Sequence, residues 1–206
     1  MRKLITASFV TLDGIMQAPG GRLEDPSSDF RYGGWVVPYA DEAFGRGTAD
    51  NHGRPFDLLL GHRTYDMWAD YWPLVDVRSA EGPAEIANDF NRATKYVAAH
   101  TRPELPWKNS EWLGPDAAAA VAKLKEGDGP DLLTQGSGDF VQTLLAADLV
   151  DELRLLIFPI TLGTGKRLWG EGVRPAAFKL TRSVVTPSGV IITSYERDGD
   201  VRTGSF

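Results

Sequence analysis

"LLTQGSGDFVQTLL", residues 132–145, reads as an apolar strand, a Gly-Ser-Gly turn and an apolar helix. A strand that feeds a helix through glycines gathers unpaired N–H groups and the positive end of the helix dipole at one spot, which suits a phosphate. The dinucleotide fingerprint Gly-x-Gly-x-x-Gly also needs a third glycine for close helix–strand packing and an acid at the end of the next strand. Both are missing here. Gly136-Ser137-Gly138 runs into Asp139, Phe140 and Val141, and the next apolar run, "LRLLIFP", closes at Phe158-Pro159 without a carboxylate. Two readings stand at this point: a phosphate cradle, or glycines that only permit a tight turn.

Composition bounds the partners. With 206 residues, 42% hydrophobic and 10% aromatic, the chain can bury one substantial core, so a single domain over residues 1–206 is expected. No linker or repeat divides it. A net charge of −6 with scattered Lys and Arg argues against a nucleic-acid surface, which needs a basic stripe. The expected partner is a small molecule. The absence of cysteine excludes disulfides, thiolate metal ligands and a cysteine nucleophile, and agrees with a cytoplasmic setting. The opening "MRKLITASFVTLDG" imitates a secretory signal, but Thr6 and Ser8 interrupt its apolar run and Asp13-Gly14 closes it. It reads as a buried first strand. No apolar stretch approaches a membrane span.

Short β-rich runs alternate with helical patterns, the signature of a sheet covered on both faces. Strands are expected at 3–10, 57–60, 94–99, 131–134, 151–158, 178–186 and 190–197. Helical spacing and capping residues lie between them in "VVPYADEAFGRG", "RTYDMWADYW", "PAEIANDFNRA", "GPDAAAAVAKLK" and "GDFVQTLLAADL". Ser188-Gly189 sits between two β-branched runs and signals a C-terminal antiparallel hairpin. The result is a mixed, mostly parallel α/β sheet.

In open α/β sheets ligands lie beyond the carboxyl ends of the strands. Three of those ends look alike. "DLLL" leads into Gly61-His62-Arg63-Thr64, "KYVAA" into His100-Thr101-Arg102, and the third is Gly136-Ser137-Gly138. Each also has a plain structural reading, with Gly61 a turn, Thr64 an N-cap and His100 a surface residue. One helix terminus stabilises an anion by roughly 0.3–1 kcal/mol when exposed and about 2 when partly buried, too little alone to hold a nucleotide. Converging in one crevice, the three could grip several phosphates, with Arg63 and Arg102 as charge partners. Three phosphates point to NADP.

"LLLGHRTYDMW" resembles the strand–Gly-Arg-x-Thr–helix segment of dihydrofolate reductases. "LLTQGSGDFVQTLLAADLVDELRLLIFPITLGTGKRLW" resembles the C-terminal reductase domain of the bifunctional riboflavin-biosynthesis deaminase/reductase and its stand-alone relatives. "ASFVTLDGIMQAPGG" fits the latter too, with Thr11 where that family's loop carries serine. The resemblance implies a dihydrofolate-reductase-like three-layer α/β/α sandwich and NADPH as cofactor. It implies an adenosine 2′-phosphate site at Arg63, Thr64, His100, Thr101 and Arg102, beside Gly61. It implies a pyrophosphate site at Gly136, Ser137, Gly138 and Asp139, with Phe140 and Val141 beginning the helix below. Ala7, the Leu12-Asp13-Gly14 loop and the Leu162-Gly163 turn would border the nicotinamide. Asp139 departs from the pattern, because an acid beside phosphates repels unless it caps the helix.

The substrate side follows the pattern less closely. Dihydrofolate reductases carry Trp-x-x-Pro before the helix that presents an acid, and "WVVPYADEAF" offers Trp35 to the substrate, then Pro38 and Asp41 or Glu42. The acid is one residue out of register, and Asp41 can equally be read as an acid favouring the first turn of a helix. Asp13 is a second candidate donor. The segment "GGRLEDPSSDFRYGGW" reads either as a loop over a substrate or as a disordered excursion. The resemblance also implies a homodimer through "DELRLLIFPITLG".

Other motifs are decoys. "GTGKRL" imitates a phosphate loop, but Ile160 stands where its first glycine belongs and Arg167 replaces the metal-binding hydroxyl. His52, His62 and His100 show no metal-ligand spacing, and no metal site is expected. There is no Gly-x-Ser-x-Gly elbow. Trp68, Trp72 and Trp169 are expected in the core. Two functions remain: an NADPH-dependent reductase acting on a C=N or C=O group of a heterocyclic or sugar-derived substrate, or a non-catalytic dinucleotide-binding module.

Overall fold

The computed structural model describes residues 1–52, 55–76, 78, 84–171 and 173–205, with the side chains of Asn51 and His52 outside that set. Its strands are β1 (Leu4–Thr11), β2 (Phe56–Gly61), β3 (Lys95–Ala98), β4 (Ser110–Trp112), β5 (Asp131–Gln135), β6 (Glu152–Phe158), β7 (Phe178–Val185) and β8 (Ile191–Arg197). They form one eight-stranded sheet in the order β4-β3-β2-β5-β1-β6-β8-β7. Every pairing from β4 through β6 is parallel, while β8 runs antiparallel to both β6 and β7. Leu4 and Leu132, Leu58 and Leu133, and Ser8 and Leu155 stand opposite one another in register.

The strands at the centre read as near-continuous apolar runs because both faces are covered. One face packs Leu4, Leu59 and Leu132 against Phe140, Val141 and Leu144 of α5 (Gly138–Ala146) and Val121 of α4 (Ala117–Glu126). The opposite face packs Ile5, Leu58 and Leu60 against Tyr65 of α2 (His62–Ala69) and Phe90 of α3 (Ala84–Arg92). Each such fully buried leucine contributes roughly 1.5–3 kcal/mol. A third cluster joins Ile15, Phe30, Trp35 and Val36 to Leu156, Phe158 and Ile192, closing the loop after β1 onto the sheet.

Most elements lie where the sequence places them, with local reasons for the differences. The first helix begins at Glu42, not Val36: Pro38 opens a separate 3-10 turn at Val37–Tyr39, and Asp41 starts the α-helix α1 (Glu42–His52) by accepting from Phe44 N at 2.7 Å. Pro83, the expected start of α3, lies outside the described residues. Strand β4 was not expected, since "SEW" has three residues and no apolar run. Trp169 is 42% exposed, not core. The long loop is tied down: Gln17 Nε2 donates to Asp25 O and Ser27 O at 3.0 Å, and Trp35 Nε1 donates to Gln17 O at 2.8 Å. Within "DELRLLIFPITLG", the segment expected at a dimer contact, Glu152–Phe158 forms β6 between β1 and β8.

An ion pair is buried at the amino ends of the strands. Arg2 meets Asp57, the two residues being only 6% and 8% exposed, and Asp57 Oδ1 also accepts from Thr94 N at 3.1 Å. Removing one partner strands the other in a low-dielectric site. Asp57→Ala is expected to lower the unfolding free energy by about 3–5 kcal/mol; urea denaturation checks it, and a loss near the few tenths typical of surface changes would show that water compensates Arg2.

Candidate functional site

Parallel pairing places the carboxyl ends of β2, β3 and β5 on one edge of the sheet, and their turns meet there. Gly61 N donates to Ser137 Oγ at 2.9 Å, bridging 76 residues of sequence. A Cβ on Gly61 would lie 3.5 Å from Ser137 Cβ and 3.7 Å from Phe140 Cβ, and one on Gly136 would lie 3.6 Å from Thr64 Cγ2. Gly136 has φ +73°, a backbone that glycine adopts without penalty, and Ser137 follows in the left-handed region at φ 56°. Ser137 is the residue before α5, yet its hydroxyl serves Gly61 and not the helix's own N–H groups. The first turn of α5, Gly138, Asp139 and Phe140, lies on the crevice wall. Thr64 is buried in the first turn of α2 and is not its N-cap, which is Gly61.

The crevice is a cavity of about 1280 Å³. Gly61, Arg63, Thr64, His100, Thr101, Gly136, Ser137, Gly138, Asp139 and Phe140 all line it. Arg63, His100 and Thr101 are exposed at its mouth, with His62 beside them. Arg102 instead lines a separate hollow of about 520 Å³ with Leu105 and Trp112. Ala7 is 4% exposed and lies under the wall, paired in the sheet with Gln135, which does line it.

The far half of the cavity is built by residues that the motifs did not indicate. Ser8, Phe9 and Met16 come from β1 and its loop, Phe44 and Thr48 from α1, and Glu24, Asp25 and Lys166 from two loops. Met16 crosses between the halves, its Sδ 3.3 Å from where a Cβ on Gly138 would stand. Ser8 Oγ is buried and receives no hydrogen bond from the described residues. Lys166 Nζ pairs with Asp25 Oδ2 at 2.5 Å, and its N–H donates to Gln17 Oε1 at 2.9 Å. Burial pushes the Asp25 carboxyl up, but Lys166 and Ser27 outweigh this and hold it below the ordinary range. Its neighbour Glu24 is shifted the other way: burial raises its pKa, only partly offset by the amides of Gly20 and Gly21.

The chain is similar to known proteins over nearly its whole length. The RibD C-terminal domain matches it over residues 2–192. The chain belongs to that family. Bacillus subtilis YyaP, an uncharacterized protein, is 26% identical over 198 residues, covering 96% of each chain. Among solved structures, a candidate riboflavin-biosynthesis protein from Shewanella sp. PV-4 is 22% identical with a TM-score of 0.63, covering 95% of this chain and 99% of its own. Dihydrofolate reductase from Enterococcus faecalis, solved with NADP(H), is 13% identical with a TM-score of 0.57, covering 95% and 96%. The three-layer, dihydrofolate-reductase-like fold expected from the sequence is the fold of this RibD C-terminal domain.

Besides Ala7 and Arg102, three more expected site residues sit away from the cavity wall of this RibD C-terminal domain. Trp35, expected at the substrate, is 6% exposed and packs edge-on against Phe158 with ring centroids 5.1 Å apart. Asp13 accepts from Thr11 Oγ1 at 2.5 Å and from Gly163 N at 2.8 Å; the Thr11 hydroxyl is the main reason its pKa is lowered. Asp41 has both oxygens engaged, Oδ1 by Phe44 N and Oδ2 by Ser188 N at 2.9 Å, so it caps α1 and fastens the β7–β8 turn. The Phe44 amide is the first cause of its lowered pKa. Lys166, part of the rejected "GTGKRL", does line the cavity, and Gly165 beside it packs against Phe30 and Ile15, where a Cβ would come within 2.8 and 2.9 Å. A polar loop with Gly20-Gly21 just before Glu24 was the available signal for the carboxylates, since only close backbone can surround a side chain there.

A carboxylate whose folded pKa is depressed stabilises the fold above its unfolded value and loses that contribution as pH falls through the folded value. Asp41→Asn is therefore expected to melt below the parent at neutral pH, with the gap closing on acidification below about pH 4. Melting temperatures measured from pH 7 to pH 2 check this, and a gap independent of pH would contradict the capping role.

Proposed function

We propose that this protein is an NADPH-dependent reductase that delivers hydride to a C=N or C=O group of a small heterocyclic or sugar-derived substrate. The observation that carries the reading is the meeting of three strand-end turns on one cavity, locked by the Gly61–Ser137 bond. The residues present fit a dinucleotide. The helix-start amides after Gly136 suit a pyrophosphate, Arg63 and His100 offer cations at the mouth, and the buried Ser8 hydroxyl awaits a partner. The cavity exceeds the roughly 300–1,000 Å³ of sites for one drug-sized ligand, leaving room for a cofactor and a substrate together. When bound, the reduced nicotinamide supplies the hydride and its two electrons.

The chain's own contribution is placement and exclusion of water. Gly136, Ser137 and Gly138 hold the pyrophosphate, with Phe140 below the turn, and Arg63, Thr64, His100 and Thr101 hold the 2′-phosphate. Phe9, Met16 and Phe44 give the far half apolar walls against which a flat ring can lie. In this reading Asp139, exposed in the first turn of α5, lies on the cavity wall at the phosphate end. Asp13 and Asp41 act as positioning residues of the Leu162-Gly163 turn and of α1, because their oxygens already serve backbone amides. No helix of the described residues is long and apolar enough to cross a membrane, and none of their His, Asp and Glu side chains group as a metal site. We place the protein in the cytoplasm, as a homodimer that covers exposed Leu180, Val184 and Val185 of edge strand β7.

NADPH oxidation measured with dihydropterin, a ribosylaminopyrimidine and menadione as acceptors tests the reading, and turnover above background with one of them is the expected outcome. Tight NADPH binding without turnover on any of them would favour a binding module. Charge-assisted bonds are worth about 1.5–3 kcal/mol, so Arg63→Ala is expected to weaken NADPH roughly 10- to 100-fold while leaving NADH nearly unchanged. Tryptophan fluorescence reports this through Trp68 and Trp72 on the cavity wall; equal losses for both cofactors would remove the 2′-phosphate assignment.

A further inference from the structure

Hydride transfer to a C=N or C=O group leaves negative charge on the heteroatom, and a proton must meet it. Asp13 and Asp41 are turned to backbone amides away from the cavity, which leaves four carboxylates on its wall: Glu24, Asp25, Asp116 and Asp139. Asp116 caps α4 through Ala119 N at 3.0 Å. Asp25 is bound to Lys166. Asp139 stands at the phosphate end, in the first turn of α5. Glu24 is the remaining acid.

Its geometry suits a proton carrier. Gly20 N and Gly21 N both donate to one oxygen, Oε2, at 2.6 and 3.1 Å. No hydrogen bond from a described residue reaches Oε1, which can therefore hold the proton. The side chain is partly buried, a setting that disfavours the charged form. The adjacent Asp25, held anionic by Lys166, adds like charge at Glu24, and both lie on the same wall. Lys166, on the same wall, joins this point to the loop after β1: its backbone N–H donates to Gln17 Oε1 and its Nζ to Asp25 Oδ2, while Met16, next to Gln17, has its Sδ 3.3 Å from where a Cβ on Gly138 would stand. Glu24 thus lies in the half of the cavity beyond the phosphate turn, where the reacting ring would be.

We propose that Glu24 is the general acid of this cavity, protonating the acceptor's nitrogen or oxygen as hydride reaches its carbon; the proposal rests on the reductase reading above. The Oε1–H bond breaks, an N–H or O–H bond forms on the acceptor, and the electron pair stays on the carboxylate. Solvent returns the proton, and the hydride with its two electrons comes from the reduced nicotinamide dinucleotide.

Two measurements test this. In protein carrying carbon-13 glutamate, the carboxyl signal lost in Glu24→Gln should titrate above the ordinary value of about 4.3; titration at or below that value overturns the proposal whatever the activity. With the acceptor that turns over fastest, kcat should fall about 10²–10⁴-fold in Glu24→Gln, with NADPH affinity retained and partial recovery in Glu24→Asp. Parent kcat should fall tenfold per pH unit above the Glu24 titration, because the acid form reacts, and this fall should vanish in Glu24→Gln. If that variant does not fold, the parent pH profile and Glu24→Asp decide in its place. Unchanged kcat and pH profile in Glu24→Gln remove this inference alone. Failure of the parent to oxidise NADPH with any acceptor removes the reductase reading and this inference with it.

Discussion

The hydrogen bond from Gly61 N to Ser137 Oγ is the point on which the site depends. It exists because β2 and β5 are parallel neighbours, so the turns that leave them lie side by side. The same bond explains how the chain manages without the third fingerprint glycine. That glycine normally lets helix and strand approach closely; here the missing side chain is on the strand instead, where Gly61 faces Phe140. Phe140 can then remain an aromatic anchor of α5 in the core. A Cβ at 61 would just fill the space between the turns, in ordinary contact with Ser137 and Phe140.

The cavity divides by chemistry along the same lines. Strand-end turns of β2, β3 and β5 contribute amides and cations, which is what parallel topology collects at carboxyl ends. Loops and α1 contribute the far half, with apolar rings and a pair of adjacent carboxylates whose proton affinities differ in direction. Asp25 is lowered because Lys166 arrives from a loop 141 residues away, and Glu24 is raised by burial and the neighbouring Asp25 charge, which the Gly20 and Gly21 amides only partly offset. Burial acts on both; the partner decides the sign.

These two halves were unequally legible in the sequence. Glycine turns beside apolar runs are local patterns, so Gly61, Gly136 and Gly138 could be read directly, and parallel order followed from alternating strand and helix signals. The short polar β4 carries no such pattern and is an edge strand paired with β3. Asp41 was ambiguous because an acid at a helix start caps it or serves chemistry equally well; only the Ser188 amide, from a turn 147 residues on, shows its second oxygen to be engaged. Trp35 looked like a ring-binding residue because a loop precedes it, yet that loop folds back through Gln17 and draws the indole under Phe158. Glu24 and Lys166 owe their place to loop closure, which no periodicity encodes.

The central claim is that one dinucleotide touches all three turns at once. Titrating NADPH into nitrogen-15-labelled protein and following backbone amides measures this directly. The account predicts that Gly61, Thr64, Thr101, Gly136, Ser137 and Gly138 shift together along one binding curve. Shifts confined to one turn, or turns that follow different affinities, would contradict it.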